Sequence, residues 1–128
     1  MELVNYDLNI PDAEPKVRVY DNYVVLNAAA VALLKVGSGD YVQIRASRNE
    51  RINGKPLLYI GRTGNIFGYV VRRRMNTMRI NSRKLARSLQ VSLDGCGCYL
   101  VSRDDTQIVD NEVTYNIFFR NYDKKDTD

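Results

Sequence analysis

Short runs in which apolar and polar residues alternate, separated by turn formers, dominate this chain. Val17-Arg18-Val19-Tyr20 and Tyr23-Val24-Val25-Leu26 are β-prone, and Asp21-Asn22 between them predicts a tight hairpin. Asn27 is a good helix cap, and the following Ala28–Val36 run favours helix. That run is apolar on nearly every side, so the helix is expected to be buried. Gly37-Ser38-Gly39-Asp40 stops it, and Tyr41–Ala46 returns as a strand. Asn53-Gly54 is the strongest turn signal and leads to a strand at Leu57–Ile60. Gly61, Gly64 and Gly68 predict a loose segment before an extended run at Tyr69–Arg74. Thr77–Ile80 is a short strand, and Asn81-Ser82 caps a helix over Arg83–Leu89 that the Leu93–Gly97 stretch breaks. Cys98–Val101 and Val113–Phe119 complete the strands, the last with the clearest alternation.

These elements predict a mainly β chain with two short helices, α+β in class. We expect an extended arm over 1–15, with an edge strand at Leu3–Ile10, one domain over 16–120, and a disordered tail over 121–128. A repeat is visible. Val25-Leu26-Asn27, then Val31, Leu34 and Val36, then Tyr41–Ile44 parallels Arg79-Ile80-Asn81, then Leu85, Leu89 and Val91, then Tyr99–Val101. The repeats span about 17–46 and 69–103. Two strand-helix-strand units related by a pseudo-twofold axis would close one small β-barrel; otherwise a homodimer is expected.

The run Tyr23–Asn27, the helix ending Leu33-Leu34-Lys35-Val36, and Gly37-Ser38-Gly39-Asp40-Tyr41-Val42 resemble the AbrB/MraZ-like swapped-hairpin family. The match covers about 25 residues well and a second stretch of similar length weakly. The second copy has Asp94-Gly95 where the first has Gly39-Asp40, and Asn27-Ala28-Ala29-Ala30 replaces the family's usual basic helix start. The resemblance implies a small barrel that binds DNA through basic residues.

Composition narrows the chemistry. The 128 residues suffice for one core, and the two cysteines, Cys96 and Cys98, stand too close to staple a domain. The N-terminal residues are acidic rather than secretory in character, and no apolar run has membrane length. A cytoplasmic location is expected. Histidine is absent, which excludes histidine-dependent triads and zinc sites that need an imidazole. Gly37-Ser38-Gly39 and Gly95-Cys96-Gly97 lack the remaining residues of a nucleotide loop and read as turns. No enzyme, metal, cofactor or small-molecule substrate is expected.

Charge adds the functional lead. No acidic residue lies between Glu50 and Asp94, a span holding ten basic residues; the rest of the chain holds nine basic and all fifteen acidic residues. Such asymmetry suggests a polyanion partner. Arg72, Arg73, Arg74, Arg79, Arg83, Lys84 and Arg87 are the candidate nucleic-acid contacts, with Arg73 facing away from its two neighbours if the run is a strand. Edge-strand and solvated-helix charges are the plainer alternative. Asn81 and Ser82 would leave helix N–H groups beside these cations, a phosphate-binding arrangement. Tyr59, Tyr69 and Tyr99 are candidates for base stacking or for sheet packing. The leading expectation is a DNA-binding protein, a transcriptional regulator among the classes that fit. The rival is a protein-interaction module, such as a subunit of a larger particle.

Overall fold

The computed structural model of the protein describes residues 14–52 and 54–122. The strands are β1 (Lys16–Val19), β2 (Val24–Leu26), β3 (Tyr41–Ile52), β4 (Lys55–Thr63), β5 (Tyr69–Val70), β6 (Arg72–Arg74), β7 (Thr77–Ile80), β8 (Gly97–Val109) and β9 (Glu112–Ile117). The helices are α1 (Ala28–Leu34) and α2 (Arg83–Ser92). The strands form one antiparallel sheet in the order β5-β3-β4-β9-β8-β1-β2-β7-β6.

Its two ends, β5 and β6, are consecutive in the chain. They meet at Val71, which is 0% exposed. Val71 N–H donates to Asp40 O at 2.8 Å, and Gly39 N–H donates to Val71 O at 2.7 Å. The turn after α1 thus ties both edges together, and the sheet curls into a nearly closed barrel. Closure removes open edges that would otherwise recruit other strands. β8 makes a comparable switch, pairing with β1 through Gly97–Leu100 and with β9 from Val101 onward.

Alternation explains the core. Val17 and Val19 on β1 point inward and pack with Val24 and Leu26 of β2, Met78 and Ile80 of β7, Tyr99, Val101, Ile60 and Ile117. α2 adds Leu85, Ala86 and Leu89 from one face. Burying each large apolar side chain contributes roughly 1.5–3 kcal/mol.

The structure departs from expectation in several places. Only Ala30 and Leu34 of α1 are buried, so the helix lies against the barrel on one side instead of within it. It stops at Leu34 because Lys35 turns left-handed, its N–H capping Val31 O at 2.8 Å. The first hairpin needs four loop residues, 20–23, closed by Tyr20 N–H to Tyr23 O. Gly61 lies within β4, so close to Val113 and Thr114 that a β-carbon would collide with both. β3 and β8 run well past the apolar segments that announced them.

Two contacts lie at the margins of the expected domain. Pro15 is fully buried and its carbonyl accepts Val101 N–H at 2.9 Å. Asn121 is 3% exposed; it accepts from Cys98 N–H at 3.2 Å and donates to Cys96 O at 2.8 Å. The edge strand expected at Leu3–Ile10 lies outside the described residues, as do residues 123–128 of the expected tail.

Candidate nucleic-acid interface

Inward apolar residues on β1, β2 and β7 leave the alternate residues facing out. Cross-strand register then sets which of these meet. Cys98 of β8 opposes Arg18 of β1, Arg18 opposes Val25 of β2, Val25 opposes Arg79 of β7, and Arg79 opposes Arg72 of β6. One row across five strands therefore carries three arginines on the outer face. With strands about 4.8 Å apart, Arg72 and Arg79 are neighbours and Arg18 lies roughly 10 Å further on. Lys16 and Arg74 flank the row from β1 and β6.

The four strands β1, β2, β6 and β7 carry Lys16, Arg18, Arg72, Arg73, Arg74 and Arg79 and no acidic residue. Among the described residues, no ion pair joins Arg72, Arg73, Arg74, Arg79, Arg83 or Lys84 to a carboxylate. Like charges directly opposite one another, as in Arg72–Arg79, are destabilising. An external anion would relieve that repulsion.

Aromatic rings border the cations. The Arg79 guanidinium lies 4.3 Å from the centre of the Tyr23 ring, and Lys16 Nζ lies 4.3 Å from that of Tyr122. Tyr20 stacks on Tyr23 with centroids 4.7 Å apart and planes at 19°. α2 holds this loop: Arg87 Nε donates to Asp21 O at 3.0 Å, and Gln90 Nε2 donates to Tyr20 O at 2.9 Å. A hollow of about 190 Å³ opens beside the row, lined by Lys16, Arg18, Tyr20, Val25, Asn27, Cys98 and Tyr122.

The fold sorts the sequence-predicted residues. Arg72, Arg74 and Arg79 share the outer face. Arg73 opposes the buried Met78 and projects to the other side, at the exposed barrel edge where its N–H bonds Ser38 Oγ at 3.0 Å. Arg83 and Lys84 stand exposed on the first turn of α2, and Arg87 is occupied with the Asp21 carbonyl. Ser82 Oγ accepts Leu85 N–H at 3.1 Å, so the cap itself satisfies one of the helix-end donors offered for phosphate.

The stacking candidates change. Tyr59 and Tyr99 are 5% and 0% exposed, with hydroxyls bonded to Asp105 and to Gly95 O. Tyr69 is half-buried on β5 against the core. Tyr20, Tyr23 and Tyr122 take their place beside the cations. Lys16 and Arg18 were also missed, because in sequence they belong to the acidic flank. Their alternation with Val17 and Val19 was the one available signal.

The basic block does not act as a unit. Arg62 pairs with Asp40 at 3.8 Å, and Lys55 Nζ donates to Leu93 O at 2.8 Å. Arg51 stands on the exposed end of β3. No group of three His, Cys, Asp or Glu side chains suited to a metal occurs among the described residues. Cys96 is exposed, and partial desolvation together with the Asp21 carboxylate beside it pushes its thiol up.

The fold defines a nearly closed antiparallel β-barrel with two short helices. Comparison with protein-family models, curated proteins and solved structures gives no match. No helix among the described residues is long and apolar enough to cross a membrane.

Proposed function

We propose that this chain is a non-enzymatic nucleic-acid-binding protein, with DNA the leading partner, whose contact surface is the outer face of β1, β2, β7 and β6. The observation that carries the reading is the absence of any acidic residue on these four strands, which bear six cations, five of them on that face. Two of those cations, Arg72 and Arg79, oppose each other directly. Phosphates spaced along a backbone suit such a row, since each guanidinium can bind one bidentately. Fluorescence anisotropy with generic duplex and single-stranded oligonucleotides at low and at physiological salt tests it. The expected result is binding that weakens steeply with salt, by about −0.9 in the logarithmic slope per phosphate contacted on a duplex. Salt-independent affinity, or none at low salt, would overturn it.

The AbrB/MraZ-like reading belongs with this proposal. Both halves run strand, strand, helix, strand, strand, counting β5 and β6 as one. The β1–β8 ladder corresponds to β3–β5, while β2–β7 and β4–β9 each pair equivalent strands. Val24↔Ile80, Val25↔Arg79 and Leu26↔Met78 form a ladder symmetric about its centre. A pseudo-twofold axis through β2–β7 fits this connectivity. In an experimental structure, residues 16–63 should superpose on 70–117 by a rotation near a half-turn; unrelated orientations would reject it.

One observation favours the rival role in protein assembly. Ile66 and Phe67 are 69% and 89% exposed on a loop fixed by Phe67 N–H to Asn65 Oδ1 and Gly64 N–H to Glu112 Oε2, each at 2.8 Å. Light scattering of the purified protein tests this reading. A defined oligomer dispersed by Phe67→Ser would support it, and a monomer that ignores the substitution would remove it.

A further inference from the structure

We infer that the hollow between Tyr20 and Tyr122 receives an unpaired base, so that the preferred ligand is a single strand. The inference rests on the nucleic-acid reading above and sharpens its substrate class. Three features converge on this spot. Tyr20 and Tyr122 are 39% and 40% exposed and both line the hollow. Lys16 and Arg18 line it as well, on a strand whose own sequence has no acidic residue, and Lys16 Nζ lies 4.3 Å from the centre of the Tyr122 ring, so a backbone that approaches β1 brings its bases to the tyrosines. The walls are pre-set: Tyr20 is stacked on Tyr23 and its carbonyl is held by Gln90, while Tyr122 N–H donates to Cys98 O at 2.6 Å.

The floor suits a flat ring. Val25 and the buried Cys98 supply apolar surface, and Asn27 adds a polar rim. The Asn27 Oδ1 is already used by Lys16 N–H and Ala30 N–H, each at 2.9 Å, which fixes that rim in place. The volume equals that of about six waters at the roughly 30 Å³ each occupies in the liquid. A duplex cannot use such a hollow. Both faces of every interior base are covered by its stacked neighbours, and only a strand with unstacked bases can exchange those contacts for tyrosine rings. Because every base has such a face, recognition here is tolerant of sequence, and oligo(dT) and oligo(U) share the chemistry.

The test compares short oligo(dT), oligo(U) and a duplex of equal length by anisotropy, using the full chain and its Tyr20→Leu/Tyr122→Leu variant. The expected result is tighter binding of either single strand than of duplex, and a loss of about 10- to 100-fold on single strands in the variant, with duplex affinity unchanged. Binding of one single strand alone, with the same loss in the variant, supports the hollow and identifies the sugar it accepts. A readout that needs no variant is 2-aminopurine placed in the oligonucleotide, whose fluorescence falls when the base stacks in the hollow. Duplex binding at least as tight as single-strand binding, with unaltered 2-aminopurine emission, overturns this inference and leaves the basic face standing. Absence of binding to every oligonucleotide at low salt overturns both.

Discussion

The outer face of β1, β2, β7 and β6 and the arms formed by the far ends of β3–β4 and β8–β9 are both exposed, polar and β-structured, yet they handle charge in opposite ways. In the arms the signs are mixed and the partners are internal. Arg45 reaches Asp110 at 3.9 Å, Gln43 Nε2 donates to Glu112 Oε1 at 3.0 Å, and Tyr59 OH donates to Asp105 Oδ1 at 3.1 Å. Each contact joins one hairpin to the other. On the barrel face one sign prevails, and Arg79 and Lys16 are met by the rings of Tyr23 and Tyr122. An aromatic face attracts a cation without neutralising it. The arms pair charged and polar groups with one another, whereas on the face Arg72, Arg74 and Arg79 have no carboxylate partner among the described residues. Net charge therefore says little about partners until the pairing of strands is known.

The comparison can be broken first through stability. Ile80, 1% exposed on the inner side of β7, is expected to cost about 2–5 kcal/mol when replaced by alanine, because a cavity opens beneath the basic row. Ile108, 66% exposed on its arm, should change stability by no more than about 0.5 kcal/mol as Ile108→Thr. Equal shifts in urea midpoints would mean that the arms share the barrel's core.

Charge reversal is the next largest effect. Arg72→Glu with Arg79→Glu should weaken oligonucleotide binding on the order of 30-fold or more at low salt, with the salt slope reduced. Arg48→Glu with Arg51→Glu, on the arm, should change affinity by less than about threefold. Similar losses from both pairs would mean that long-range charge, and not a face, governs binding.

A smaller effect sits where the arms join. The Gly64 N–H, then the Thr63 hydroxyl, with help from Gln43 and Arg62, hold the Glu112 carboxyl below the usual glutamate range against a modest opposing desolvation. A carboxyl depressed in the folded state stabilises the protein above its unfolded pKa, and that contribution fades as pH falls through the folded pKa. Glu112→Gln should therefore be less stable than the parent at neutral pH, the gap narrowing on acidification. A gap that stays constant down to acid pH would show that the bonds, and not the charge, matter.

The smallest effect belongs to Arg45→Ala. Its 3.9 Å pair with Asp110 joins side chains that are 51% and 84% exposed, and its removal should cost under about 0.5 kcal/mol in chemical denaturation. A larger cost would make the arms a cooperative unit.

Local pattern determined a good deal of this molecule. Thr77–Ile80 is a strand with the bounds the alternation predicts, and Ser82 caps α2 as its position promised. These features depend on neighbours a few residues apart, and side-chain periodicity and capping report them directly. Tertiary structure decided the rest. Val71 joins the two ends of the sheet through bonds to the 37–40 turn, far away in sequence. The arms are polar on both sides, as in Ser102–Gln107, so no alternation marked them as strands. Tyr59 and Tyr99, on β4 and β8, are buried by the strands packed around them, while Tyr20 and Tyr122 lie outside the strands and stay partly exposed. The candidate face itself draws Lys16 and Arg18 from the acidic flank to lie with Arg72 and Arg79, and sends Arg62 elsewhere to meet Asp40. A strand's own sequence says which residues share a side; only its hydrogen-bonded partner says whose charges they will stand beside.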